Sequence, residues 1–215
     1  MSSRTIVAAI DLGPSTARVL YHAVGFARLL AADLRVVHVD AGGSRDARAS
    51  ALAACLEQGP YQQSFEDDQV VIRHGRVSDA IVREARAANA ALVVMGSRGH
   101  LAVTTILLGS TSDAVLRHAP CPVLLVPPMD LDIVNVGDGV ALTCGPVIAA
   151  VDLDEDSREQ LDLASRIAHL GRHPLLLMTV ARSRVTDRAA AGELSRRAHA
   201  LEPAKPRAVI VRRSA

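Results

Sequence analysis

Residues 6–39, IVAAIDLGPSTARVLYHAVGFARLLAADLRVVHV, decide the fold. The stretch opens inside a short apolar run, TIVAAI (5–10), rich in β-branched residues. Asp11-Leu12-Gly13-Pro14-Ser15 then breaks the pattern. Beyond the break Ala17, Leu20, Val24, Ala27 and Leu30/Ala31 recur on one helical face, with Ser15 or Thr16 as the expected N-cap. LRVVHV (34–39) closes the unit as a second apolar run. Run, breaker, 3.6-residue period and run again predict strand, turn, helix, strand. Runs apolar at nearly every position belong to strands buried on both faces, as in parallel sheets.

The same alternation continues outward. A helix is predicted over 45–58, followed by a polar, poorly patterned stretch to Asp68. QVVIR (69–73) reads as a strand ended by Gly75, and Ser78-Asp79 opens a helix to about Ala88. ALVVM (91–95) is a buried strand, 110–118 a helix and PVLLV (122–126) a last strand. Pro120 and Pro122 flank Cys121 at its entry. A central strand cannot lose ladder bonds to proline, so 122–126 is expected at a sheet edge, where a second chain can pair. Strands alternating with helices predict an α/β fold with a helix-covered parallel sheet.

The opening unit recurs. Residues 147–180, VIAAVDLDEDSREQLDLASRIAHLGRHPLLLMTV, align with 6–39 without gaps at a shift of 141. Asp11 falls on Asp152, Leu12 on Leu153, Leu20 on Leu161, Ala27 on Ala168 and Val39 on Val180. A helical stretch (187–201) and a short strand (207–211) follow. This is a second copy of the unit, with three strands against five. The expected organisation is a first domain at 1–127, a linker at 128–145 and an incomplete second repeat at 146–215. In the linker, 133–136 and 140–143 would form a hairpin around Gly137-Asp138-Gly139. The bare edge of 147–151 requires a cover, expected from this linker or from another chain.

Residues 91–126 carry the chemistry. After the buried strand come Met95, Gly96, Arg98, Gly99 and His100, and then Gly109, Ser110 and Thr111 at the start of a helical run. Glycines let backbone N–H groups turn toward a ligand, and a helix N-terminus offers free N–H groups and a favourable dipole. The pattern suits a phosphate, with the Ser110 or Thr111 hydroxyl as a further partner. With strand order 3-2-1-4-5, Asp11 and Met95-Gly96 would end the two strands that flank the switch point.

The spacing Gly-x2-Gly-x9-Gly-Ser, the first strand ending in Asp11 and the tail LRHAPCPVLLV resemble the universal stress protein family over residues 4–127. The resemblance implies a five-stranded parallel sheet of order 3-2-1-4-5 sandwiched by helices. It implies ATP binding, since members with this glycine motif bind ATP. Asp11 would contact ribose or adenine, the Val39 backbone adenine, and Gly96, Gly99, Gly109 and Ser110 the phosphates. It also implies a homo-oligomer paired through 122–126. The second repeat departs from the pattern: Asp152 remains, but no glycine-rich loop follows it.

Composition narrows the alternatives. With 24 Lys+Arg against 23 Asp+Glu the formal charge is +1, which argues against a dedicated nucleic-acid binder. Two Tyr, two Phe and no Trp leave no base-stacking platform. Cys55, Cys121 and Cys144 form no CxxC pair, which fits a reducing compartment. No secretory leader is visible and no run reaches the roughly 18 residues of a membrane span, so a cytoplasmic location and no membrane partner are expected. His169 and His173 lack a third ligand nearby, and His38 reads as a core histidine. No paired general acid and base is evident.

The leading expectation is an ATP-binding stress-response regulator, with magnesium bridging phosphates at most and any hydrolysis slow. One alternative is an interaction module that engages an unidentified protein through its second repeat. Another is an enzyme of the adenine-nucleotide α/β hydrolase type. It is weakened because Asp11-Leu12-Gly13-Pro14-Ser15 stands where such enzymes carry Ser-Gly-Gly-x-Asp-Ser.

Overall fold

The computed structural model describes residues 4–40, 42, 45–57, 67–97, 108–128, 132–136, 139–143, 145–153, 156–181, 184–201 and 206–212. The chain divides into two compact units, Met1–Val140 and Ala141–Ala215.

The first unit runs β1 (Thr5–Ile10), α1 (Thr16–Leu30), β2 (Asp33–Asp40), α2 (Arg45–Glu57), a 3-10 turn (Asp67–Gln69), β3 (Val70–His74), α3 (Val77–Ala87), β4 (Ala90–Gly96), α4 (Ser110–His118) and β5 (Val123–Val126). β1 lies parallel to both β2 and β4, β2 to β3, and β4 to β5. The resulting order is β3-β2-β1-β4-β5, as expected from the sequence, with β5 at an edge. Gly75 ends β3 in the left-handed region, at φ 103°.

Alternation along the strands feeds two cores. Val7, Ala9, Val37, Val39, Val93 and Met95 pack against Ala80, Ile81 and Ala85 of α3 and Val115 of α4. Ile6 and Ala8 point the other way and are fully buried on the side where α1 lies along β1. α1 supplies Val19, Leu20, Ala23, Val24, Ala27 and Leu30 to the buried interior. One buried charge fixes α3 to the sheet. Glu84 bonds Arg35 of β2 at 2.9 Å and Arg73 of β3 at 2.8 Å, so its carboxylate is paired twice. Because the carboxylate is paired twice, removing either arginine leaves it with the other partner, whereas removing both would leave a buried charge unmatched.

β6 (Val134–Val136) and β7 (Val140–Leu142) form a two-stranded sheet of their own. Within the first unit the stretch entering β6 is held on α1. A Cβ at Gly25 would meet Val134 at 2.8 Å, so only glycine permits this approach. Asp132 pairs with Arg18 at 3.3 Å, and the Ile133 N–H donates to His22 Nε2 at 3.3 Å.

The second unit runs β8 (Val147–Ala150), α5 (Arg158–Gly171), β9 (Leu175–Ala181), α6 (Arg184–His199) and β10 (Arg207–Arg212), with parallel order β10-β9-β8. Its core joins Leu161 and Ala168 of α5, Leu175 and Leu177 of β9, and Leu194 and Ala198 of α6. Among the described residues β8 pairs with β9 alone. The expectation that 133–143 pairs with the free edge of β8 is therefore corrected: β6 and β7 pair with each other instead, and a cover from another chain stays an expectation. The repeat persists in detail. α1 and α5 both end on a left-handed residue, Ala31 (φ 49°) and Arg172 (φ 55°), at equivalent positions. In both, the next amide returns to the fifth residue back, Ala32 N–H to Ala27 O and His173 N–H to Ala168 O, each at 2.9 Å.

Burial lowers the His22 pKa below 6.5. The ring places Nδ1 2.8 Å from the Arg18 carbonyl, which accepts the Nδ1 hydrogen, and keeps Nε2 free of a proton to accept from Ile133. A histidine with a lowered folded pKa contributes stability that is complete above the unfolded value and lost as pH falls through the folded one. Thermal unfolding is therefore expected to occur at lower temperature below pH 6.5 than above it. His22→Leu, which lacks the titrating ring, is expected to lose this component of the pH dependence.

Candidate functional site

The ends of β1 and β4 meet where the strand order reverses, since β2 lies on one side of β1 and β4 on the other. A crevice at the carboxyl ends of such neighbours is the usual ligand position in open α/β sheets. Asp11 stands immediately beyond β1, solvent-exposed. Its Oδ1 accepts the Gly13 N–H at 2.9 Å and the Thr16 hydroxyl at 3.4 Å. Between them Leu12 adopts φ 58°, the left-handed region a branched side chain ordinarily avoids. The Asp11 carboxylate thus closes a tight turn into α1. Ser15 occupies the N-cap position, as expected, but makes no side-chain cap bond.

Met95 and Gly96 end β4, in register with Ala9 of β1 and Val126 of β5 respectively. Beyond Gly96 the Ser97 N–H donates to Val126 O at 2.9 Å, and the Gly109 N–H donates to Ser97 O at 3.0 Å. The start of α4 is thereby brought back to the end of β4. Ser112, 2% exposed, completes the attachment by donating its hydroxyl to Gly96 O at 3.0 Å. Gly109 is the N-cap of α4 in extended conformation, with no side-chain cap bond, and the first-turn amides follow at Ser110 and Thr111. Ser110 is exposed and Thr111 half-buried.

The structure gathers Asp11, Met95, Gly96, Gly109, Ser110 and Thr111 at the carboxyl side of the sheet. Val39, on β2 in register with Arg73, and Met95 bury their side chains in the core at 8% and 5% exposure. Of these two, only the backbone is left for a ligand. Arg98, Gly99 and His100 lie outside the described residues.

Asp113 brings a negative charge into the first turn of α4. Arg117, one turn on, meets it with two bonds of 3.0 Å and holds its carboxyl below the usual range. The pair offsets the negative charge of Asp113 at this helix end. Sequence reading missed the Ser112 tether. Its only signal is a hydroxyl two residues inside a helix start, which is common where no such bond exists. Among the described residues no group of three metal-ligating side chains occurs.

The equivalent turn of the second unit is filled differently. Arg197 of α6 donates to Asp152 O at 3.3 Å, to Leu153 O at 3.0 Å and to the Ser157 hydroxyl at 2.9 Å. Ser157 is the counterpart of Thr16. A guanidinium from the chain itself thus occupies the turn after β8, while Glu193 balances its charge at 3.1 Å.

Residues 2–127 match the universal stress protein family, and the chain belongs to that family. A universal stress protein of Thermus aquaticus, from the QAH/OAS sulfhydrylase 3′ region, is 46% identical over 59 residues, 27% of this chain and 43% of that protein. Universal stress protein Mb2019 of Mycobacterium bovis is 34% identical over 111 residues, 48% of this chain and 34% of that protein. The chain thus spans less than half the length of these curated relatives. A crystal structure of a universal stress protein from Pseudomonas aeruginosa superposes with a TM-score of 0.68 at 18% identity, over 99% of this chain and 75% of that one. This last likeness concerns the fold. No helix among the described residues is long and apolar enough to cross a membrane.

Ser112→Ala removes the tether while preserving helix propensity. It is expected to lower unfolding stability by about 1 kcal/mol, the usual worth of such a bond. Urea denaturation checks this.

Proposed function

We propose that this chain is an ATP-binding universal stress protein, with one site in its first unit, acting as a nucleotide-dependent regulator of a stress response. The observation that carries the reading is the α4 N-terminus, capped by Gly109 without a side chain and drawn against the end of β4 by the Gly109–Ser97 and Ser112–Gly96 bonds. That arrangement leaves N–H groups and a helix dipole for phosphate beside the β1–β4 switch point. Gly96, Gly109, Ser110 and Thr111 take the phosphates, together with Arg98, Gly99 and His100. Asp11 takes the ribose or adenine, and the backbones of Val39 and Met95 line the base. Magnesium, where present, bridges phosphate oxygens without a dedicated carboxylate pair. ATP supplies a polyanion whose binding favours whichever conformation or oligomer holds it better. Any hydrolysis is expected to be slow. β5, half-buried at the sheet edge, pairs with a second copy.

A second reading, an interaction module working through the second repeat, has one observation in its favour. Ile148 is 57% exposed, whereas its counterpart Val7 is fully buried.

Calorimetric titration of nucleotide-stripped protein with ATP separates the two. One site per chain with micromolar or tighter affinity supports the first reading. No heat and no co-purified nucleotide overturn it in favour of the second. Gly109→Val, which places a branched side chain at the phosphates, is expected to abolish ATP binding while sparing the fold. Asp152→Ala is expected to leave ATP affinity unchanged, and a large loss there would mean that the second repeat completes the site.

A further inference from the structure

The end of β1 is held by a side chain as well as by the sheet ladder. Ile10 lies in register with His38 of β2, and His38 Nδ1 sits 3.0 Å from the Ile10 carbonyl in a buried contact. A carbonyl oxygen only accepts, so Nδ1 carries the hydrogen of this bond. The opposite ring nitrogen, Nε2, is buried without a hydrogen-bond partner among the described residues. A β-branched aliphatic residue would fill such a strand position without leaving a polar atom unmatched. Among the described residues only the bond to Ile10 engages the ring's nitrogens.

The second repeat reaches the same result with different chemistry. The counterpart of His38 is Thr179, and the counterpart of Ile10 is Val151. Thr179 Oγ1 donates to the Val151 carbonyl at 2.8 Å, again buried. A hydroxyl in one repeat and an imidazole in the other thus cap the same carbonyl, and in both the next residue is an aspartate, Asp152 or Asp11.

We infer that His38 is the positioning residue for Asp11. The peptide joining Ile10 to Asp11 is planar, so its carbonyl oxygen, the Asp11 nitrogen and the Asp11 Cα move as one body. Holding the oxygen fixes where the Asp11 Cα stands, and the bonds to Oδ1 then orient the side chain from that point. The very next residue, Leu12, is left-handed, a state that persists only when its surroundings hold it. His38 secures the strand side of this turn. The bonds from Gly13 and Thr16 to Asp11 Oδ1 secure the helix side. The consequence for ligand affinity rests on the ATP reading above, whereas the placement of Asp11 does not.

Two matched pairs test this. His38→Thr installs the donor that the second repeat uses, and His38→Val is its near-isostere without one. His38→Asn and His38→Leu repeat the comparison should the Val chain not fold. ATP affinity is read by calorimetry, and amide exchange at Gly13 in the nucleotide-free chain by NMR. The donor-less variants are expected to weaken ATP binding about tenfold and to speed Gly13 exchange about tenfold, the scale of one lost hydrogen bond. The donor-bearing variants are expected to restore both. Unchanged Gly13 exchange in Val or Leu, or a Thr or Asn chain as impaired as its partner, overturns the inference. So does a wild type that binds ATP with an affinity none of the four substitutions alters. A wild type that binds no ATP overturns the nucleotide reading, while the Gly13 series still decides whether His38 positions Asp11.

Discussion

The parallel pairing of β1 with β2 on one side and β4 on the other is the constraint on which the rest of the first unit depends. A parallel neighbour must be reached by a crossover, and a crossover helix covers one face of the sheet. Leaving β1 in two directions places α1 on one face and α3 on the other, so both faces of the central strands close over. That closure is why Val7, Ala8, Val36, Val37, Val93 and Val94 are all fully buried on consecutive, oppositely facing positions. It also opens the crevice at the carboxyl ends of β1 and β4, since the chain leaves those two strands on opposite sides of the sheet. Core and candidate site have one cause.

The second unit shows what happens when half of that arrangement is absent. Its core unites α5 and α6 with the inward residues of β8 and β9. No helix in the described part of the unit covers the opposite face, so Ile148 stays exposed where Val7 is sealed by α3 and α4. Local devices nevertheless survive. The left-handed ends of α1 and α5 coincide, and so do the side-chain caps on Ile10 and Val151. These features depend on a strand, a turn and one helix, which both units possess.

Much of this was legible because periodicity reports burial. The helix at 110–118 was bounded by Gly109 before it and Ala119-Pro120 after it, and α4 has those bounds. Proline beside Cys121 marked β5 as an edge. The repeat was readable from a gapless alignment and implied the three-stranded second sheet. What escaped the sequence depends on single atoms. Left-handed helix ends usually announce themselves by glycine, but here Ala31 and Arg172 adopt that conformation. The turn after β1 is closed by Asp11 itself, although Ser15 and Thr16 look like better caps. His38 was readable as a core histidine, yet its bond to Ile10 needs the register of two strands that sequence does not supply. The pairing of β6 with β7 is the hairpin that the sequence predicts around Gly137-Asp138-Gly139.

The two copies of the strand–turn–helix unit explain why an aspartate is a poor guide to ligand binding when taken alone. In the first unit the turn is satisfied from within: the Asp11 carboxylate consumes the Gly13 amide and the Thr16 hydroxyl. In the second unit the turn is satisfied by Arg197, whose guanidinium bonds two carbonyls and the Ser157 hydroxyl. An arginine there has five donors to place, and the exposed carbonyls of a tight turn are suitable acceptors. Once it is seated, the space over the β8 end holds a positive group anchored by Glu193. The difference follows from the helices. α4 enters the first unit by an N-terminus that meets the crevice with backbone donors. α6 enters the second along its last turns, where Arg196, Arg197 and His199 cluster. The same aspartate position is therefore followed by a turn closed by its own carboxylate in one copy and by a turn filled by an arginine in the other.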